Sequence, residues 1–139
     1  MPSGFECDVR PRVLIADDHE ALLQRVSALL AREFRVIGTV HDGAQLVAAE
    51  AALEPDVLIV DISMPGMSGI EATSRIRLRG SHVAVVCLTA HAEREIVDAA
   101  LEAGALGYVV KALLAHDLVP AVRAALEGRQ FISSPALAN

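Results

Sequence analysis

The sequence predicts an α/β fold: a doubly wound sheet of five parallel strands with helices on both faces. Two observations carry this. Short apolar runs alternate with helix-period segments five times, with brief connections between them. Several of those runs, Val57-Leu58-Ile59-Val60 above all, are continuously apolar instead of alternating, as strands covered on both faces are. The 139 residues suffice for one domain with a proper core and are too few for two.

Residues 1–10 show no period and read as a tail. Arg12 to Ala16 is the first strand, stopped by Asp17-Asp18. His19 to Arg32 carries Leu22, Leu23, Val26, Leu29 and Leu30 at helical spacing. Phe34 to Val40 alternates more than the other strands, which suits a sheet edge. Gly43 to Leu53 is an Ala-rich helix closed by Pro55. The central strand follows and ends at Asp61. Ser68 and Glu71 form a capping box for a helix reaching about Arg79, with Gly80 as its stop.

His82 to Leu88 is the fourth strand, ending at Thr89, and Glu93 to Ala103 the helix after it, stopped by Gly104. Leu106 to Val110 is the fifth strand, ending at Lys111. A last helix spans about His116 to Glu127. Pro120 costs little if that helix starts near Asp117 and demands a kink if it starts earlier. The domain is thus expected over 11–130, with 131–139 as the start of an interdomain linker.

Composition narrows the function. Apolar residues make up 53% of the chain, which implies a packed core; at 3% aromatic with no Trp, that core must be aliphatic. A net charge of −6 argues against direct nucleic-acid binding by this segment. Cys7 and Cys87 lie in unlike contexts, a polar tail and an apolar run, so neither a disulfide framework nor a zinc spacing is implied. No apolar stretch approaches membrane-spanning length, and the first ten residues lack the apolar core of a signal peptide, so a cytoplasmic protein is expected.

The residues that end the strands are the informative ones: Asp17-Asp18, Asp61, Thr89 and Lys111. Parallel strands bring these ends to one edge, where open α/β sheets place their ligands. Three carboxylates repel one another unless a cation stands among them; Lys111 supplies one charge and a divalent ion would supply more. An all-oxygen, partly open site suits Mg²⁺, or Mn²⁺ in its place. Imidazole is a poor ligand for Mg²⁺, so His19 and His91, although near, are not expected to bind it. His41, His82 and His116 read as surface.

The chain resembles the receiver domain of two-component response regulators. The resemblance rests on Asp17-Asp18, the turn Asp61-x-x-Met64-Pro65-x-Met67-x-Gly69, Thr89-Ala90, and Gly107-Tyr108-Val109-Val110-Lys111. It covers roughly residues 11–130, and Ala16-Asp17-Asp18-His19 with Gly128-Arg129-Gln130-Phe131-Ile132-Ser133 makes it most similar to receivers that precede a LuxR-type helix-turn-helix domain.

The resemblance implies a flavodoxin-like (βα)5 fold with strand order 2-1-3-4-5 and Asp61 as phosphoacceptor, supplied by a sensor histidine kinase or a small phosphodonor. It implies that Asp18, Asp61 and the Ser63 backbone carbonyl bind the metal, with Asp17 near it or acting through water. Thr89 and Lys111 would contact the phosphoryl group, and Thr89 with Tyr108 would form the switch. Ser63 and His91 stand where the family tunes phosphoryl lifetime. Ala112 follows Lys111 where many receivers have Pro, so no cis peptide is expected there.

Plainer readings compete. An isolated Asp17-Asp18 pair would simply cap the first helix, a reading that Asp61 and Lys111 at matching strand ends outweigh, and Tyr108 would serve as ordinary strand packing. Three functions from different classes follow. The first is a switch controlling transcription through a DNA-binding domain absent from this chain, with homodimerisation on phosphorylation. The second is a stand-alone receiver acting as phosphorelay or protein-interaction module. The third, a Mg²⁺-dependent phosphatase, is disfavoured because Ser63 stands where such enzymes place a second acid.

Overall fold

The computed structural model describes residues 9–90 and 93–133. Strands β1 (Arg12–Ala16), β2 (Arg35–Val40), β3 (Val57–Asp61), β4 (Ala84–Thr89), β5 (Gly107–Val110) and β6 (Phe131–Ile132) alternate with helices α1 (Glu20–Leu30), α2 (Gly43–Leu53), α3 (Gly69–Leu78), α4 (Arg94–Glu102) and α5 (Leu114–Leu126). The strands form one sheet in the order β2-β1-β3-β4-β5-β6, every pairing parallel. The expected order 2-1-3-4-5 is present, and β2 is the edge its alternation suggested.

The sixth strand corrects two expectations: five strands, and a linker from Phe131. Phe131 N donates to Leu106 O (3.0 Å) and Ser133 N to Tyr108 O (2.9 Å), so the chain stays on the sheet through Ser133. Ser133 is fully buried; its hydroxyl donates to Asp117 Oδ2 (2.8 Å) and accepts from Val110 N (3.0 Å). Two residues of ladder are too short for a periodicity to announce them. The rest of the proposed linker, 134–139, and residues 1–8 of the tail, with Cys7, lie outside the described residues.

Helix α5 also begins earlier than expected. Lys111–Leu113 make a 3-10 turn that runs directly into it at Leu114. Pro120 therefore sits inside the helix, not in its first turn, where it has no N–H for the His116 carbonyl. Pro120 and His116 are both exposed, so water can satisfy that carbonyl. No cis peptide occurs among the described residues.

Side chains alternate across the sheet and build two cores. Val13, Ile15, Val57, Ile59, Val86, Leu88 and Val109 pack with α1 and α5; Leu14, Ala16, Leu58, Val60, Val85, Cys87 and Tyr108 pack on the other face with α2, α3 and α4. The five residues of β3 are all buried, the signature of a strand covered on both faces. Burial pushes the Cys87 thiol up to about 12, which makes it a core residue and not a redox centre.

The capping box at α3 forms its first half: Ser68 Oγ accepts from Glu71 N (3.1 Å). Gly69 beside it is required by space, because a Cβ there would stand 2.3 Å from the Asp61 carbonyl oxygen. That close approach lets Gly69 N donate to Ile62 O (2.9 Å) and closes the turn that follows Asp61.

Candidate functional site: an acidic cluster at the ends of the parallel strands

Strand period decides which polar side chains meet at the carboxyl edge. Asp61 continues the parity of Val57 and Ile59, and Lys111 that of Val109, so both leave the sheet on the α1/α5 side. Asp17 follows Ile15 by two residues and joins them. Lys111 Nζ lies 3.1 Å from Asp61 Oδ2 and 3.8 Å from Asp17 Oδ2. Asp17 and Asp61 are each only 1% exposed, and the Asp18 side chain is a third exposed. One oxygen of each of the three acids, together with a His19 ring nitrogen, falls within 4.8 Å of the others.

The electrostatics are unbalanced. Three carboxylates face one ammonium, and Asp17 Oδ2 is buried with no hydrogen bond, the only such side-chain oxygen or nitrogen among the described residues. Burial raises the Asp61 carboxyl above its ordinary value and the Asp17 charge pushes the same way. Lys111 and the Ser63 N–H, which donates to Asp61 Oδ1 (3.1 Å), oppose this without cancelling it. Buried groups left short of partners mark a place built for something else. The cluster fits a hard divalent cation: its three acids offer carboxylate oxygens, one of those oxygens lacks a hydrogen bond, and its net charge is negative.

The capping alternative for the acidic pair fails. The N-cap of α1 is His19, which makes no side-chain cap bond; Asp17 Oδ1 accepts from His19 N (2.8 Å), one residue before the helix. Ser63 is exposed two residues beyond Asp61. His91 lies outside the described residues.

Thr89 and Tyr108 form a separate pair. Both follow the parity of Cys87, toward α4, across the sheet from Asp61 and Lys111. Tyr108 is fully buried and its hydroxyl hydrogen-bonds the Thr89 side chain. The aromatic ring thus occupies the inward position, against Thr89 itself. His19, expected near the site but not as a Mg²⁺ ligand, stands at the cluster itself: its Nδ1 lies 3.2 Å from Asp17 Oδ1 and 3.1 Å from Asp18 Oδ1.

One parallel sheet in the order 2-1-3-4-5-6 with an acid-and-lysine cluster at its carboxyl edge defines a class, and the sequence agrees with it. The chain belongs to the response regulator receiver domain family, whose pattern matches residues 13–123. Among its relatives is the transcriptional regulatory protein LiaR of Bacillus subtilis, 38% identical over 125 residues, covering 88% of this chain and 59% of LiaR.

The fold is similar to that of a LuxR-family two-component response regulator from Aurantimonas sp. SI85-9A1, with a TM-score of 0.89 at 30% identity, covering 93% of this chain and 94% of that one. It is also similar to the isolated receiver domain of RcsB from Salmonella enterica serovar Typhimurium, solved with the phosphomimetic BeF3⁻, with a TM-score of 0.84 at 28% identity, covering 93% and 97%. These neighbours set the chain in the NarL/LuxR-family branch. The chain spans less than two thirds of LiaR, and no DNA-binding domain lies within it. Among the described residues, no helix is long and apolar enough to cross a membrane.

Proposed function

We propose that this receiver is switched by phosphorylation of Asp61, with a divalent ion, Mg²⁺ or Mn²⁺, held by Asp18, Asp61 and the Ser63 backbone carbonyl, and Asp17 close by. The observation that carries the reading is the buried Asp17 Oδ2, which has no hydrogen bond and shares Lys111 with an Asp61 that this lysine only partly neutralises. An ion bound there supplies positive charge to the oxygens of the entering phosphoryl group.

Asp61 is the nucleophile. A lone pair on one of its oxygens attacks phosphorus, the bond from phosphorus to the donor's histidine nitrogen breaks, and that electron pair leaves with the imidazole. The Ser63 N–H keeps the carboxylate oriented through Oδ1. Its raised proton affinity makes the ionised Asp61 the stronger nucleophile. Lys111 pairs with Asp61 before transfer and with a phosphoryl oxygen after it. Thr89 contacts another phosphoryl oxygen, which alters its hydrogen bond to Tyr108 and carries the change to the α4–β5–α5 face.

The donor is a sensor histidine kinase or a small phosphodonor, the setting is the cytoplasm, and phosphorylation drives homodimerisation. The domain's own chemistry is limited to gaining and losing this phosphoryl group. Its output is transcriptional, through a DNA-binding domain outside this chain; LiaR is a transcriptional regulatory protein, and RcsB has been solved in complex with DNA. Incubation with Mg²⁺ and acetyl phosphate is expected to add one phosphoryl mass, absent in Asp61→Asn. No uptake from any acyl phosphate or kinase would overturn the reading.

A further inference from the structure

We propose that His19 is a ligand of the acidic cluster, so that the site also takes a nitrogen-preferring divalent ion of the Ni²⁺, Co²⁺ or Zn²⁺ class, in competition with Mg²⁺. The inference rests on the proposed function only in placing a cation among Asp17, Asp18 and Asp61. His19 Nδ1 stands 3.2 Å from Asp17 Oδ1 and 3.1 Å from Asp18 Oδ1, and an oxygen of Asp61 completes a set spanning at most 4.8 Å. Donor atoms about 2.1 Å from a first-row ion lie about 3 Å apart at adjacent corners of an octahedron. The spacing of the nitrogen and the two carboxylates matches that figure.

Two further features hold the ring there and leave room for an ion. The His19 backbone N–H is fixed by Asp17 Oδ1 (2.8 Å) at the N-cap position of α1, so the ring is rooted beside the carboxylates. Asp17 Oδ2, buried and without a hydrogen bond, is an independent sign that the cluster is built to take a cation. The side chain of His19 is 70% exposed, so water can solvate the rest of the ring while Nδ1 gives its lone pair to the metal. Imidazole suits Ni²⁺, Co²⁺ and Zn²⁺ and adds nothing for Mg²⁺, which prefers oxygen. His19 therefore selects between ion classes without altering the oxygen ligands. An ion held by all four groups occupies the carboxylates that Mg²⁺ needs and blocks phosphoryl transfer.

The test is calorimetric titration of the full chain with Ni²⁺ and with Mg²⁺, in a Cys7→Ser background so that the tail thiol does not compete. Asp18→Asn reports binding elsewhere. The expected result is that His19→Ala weakens Ni²⁺ about tenfold or more and changes Mg²⁺ less than about twofold. Saturation with Zn²⁺ should also move the His19 Nδ1 resonance in a ¹⁵N spectrum of the imidazole rings. Mg²⁺ binding together with a Ni²⁺ affinity indifferent to His19, or an Nδ1 resonance that stays in place, overturns this inference alone. Failure of the wild-type chain to bind either ion at the cluster overturns the proposed function with it.

Discussion

The two ends of the sheet both bury carboxylates and treat them in opposite ways. At the amino ends of the strands, Glu50 is buried, but Arg79 (2.5 Å) holds one of its oxygens and the Ser81 hydroxyl (2.8 Å) the other. A cleft of about 610 Å³ opens there, lined in part by Glu50, Asp56 and Arg79, yet Asp56 too is engaged, accepting from Arg12 N (2.7 Å). At the carboxyl ends, Asp17 and Asp61 share a single lysine, and Asp17 keeps an oxygen with no hydrogen bond. A roomy cleft whose buried carboxylate has both oxygens met is structure. A tight cluster whose charges are not met is a site, and size is no guide to which is which.

The comparison can be broken in several ways. The largest effect should come from the ion. At a hundred times its dissociation constant, Mg²⁺ is expected to stabilise the wild-type fold by about 2.7 kcal/mol, read as a shift in thermal melting, and to do nearly as much for Glu50→Ala. A variant lacking Asp18, Asp18→Asn, should lose most of that shift.

Next in size, Glu50→Ala removes a satisfied buried acid and strands its partners, at about 2 kcal/mol in urea unfolding. Phosphoryl uptake should persist in this variant. Near the active end, Ser133→Ala tests whether a satisfied acid there behaves like Glu50. It leaves Asp117 Oδ2 and Val110 N without the bonds the hydroxyl makes, at about 1.5 kcal/mol, and should deprotect the β6 amides in hydrogen exchange. A Ser133→Ala protein as stable as wild type would show that β6 adds nothing.

The smallest effect has the opposite sign. Asp61→Asn should stabilise the ion-free protein at neutral pH by about 1 kcal/mol while ending phosphoryl uptake. Burial raises the folded-state pKa of Asp61 above that of the unfolded chain, so the folded state holds this proton more tightly. Below the ordinary carboxylate value both states are protonated and no penalty exists. As pH rises from the ordinary carboxylate value through the raised folded-state pKa the penalty builds, and above that pKa it is complete. The two proteins should therefore have similar stability in acid and diverge toward neutrality, in favour of Asn. A gap that narrows with rising pH would refute the cause given for the shift.

Much of this was legible in the sequence because it depends on short-range pattern. Continuous apolar runs and their abrupt polar ends located the strands, and parallel connectivity put Asp61, Asp17, Thr89 and Lys111 on one edge. Gly43 to Leu53 was bounded correctly because Asp42 caps one end, its side chain accepting from Gln45 N, and Pro55 follows the other. The start of α5 was not, because its first turn grows from a 3-10 segment with no capping residue to mark it.

What only the tertiary structure decided is how neighbours of the same residue type divide their roles. Asp17 and Asp18 are identical in sequence terms, yet Asp17 is buried with one oxygen that has no hydrogen bond, while Asp18, at the bend that follows, reaches the same cluster from the solvent side. Thr89 and Tyr108 meet through a pairing of two strands, and Ser133 finds Asp117 only because β6 docks beside β5. The sequence determined the list of groups and the edge they share. Burial, which turns a carboxylate from a solvated charge into one in need of a cation, is set by packing between distant segments, and only the folded chain contains it.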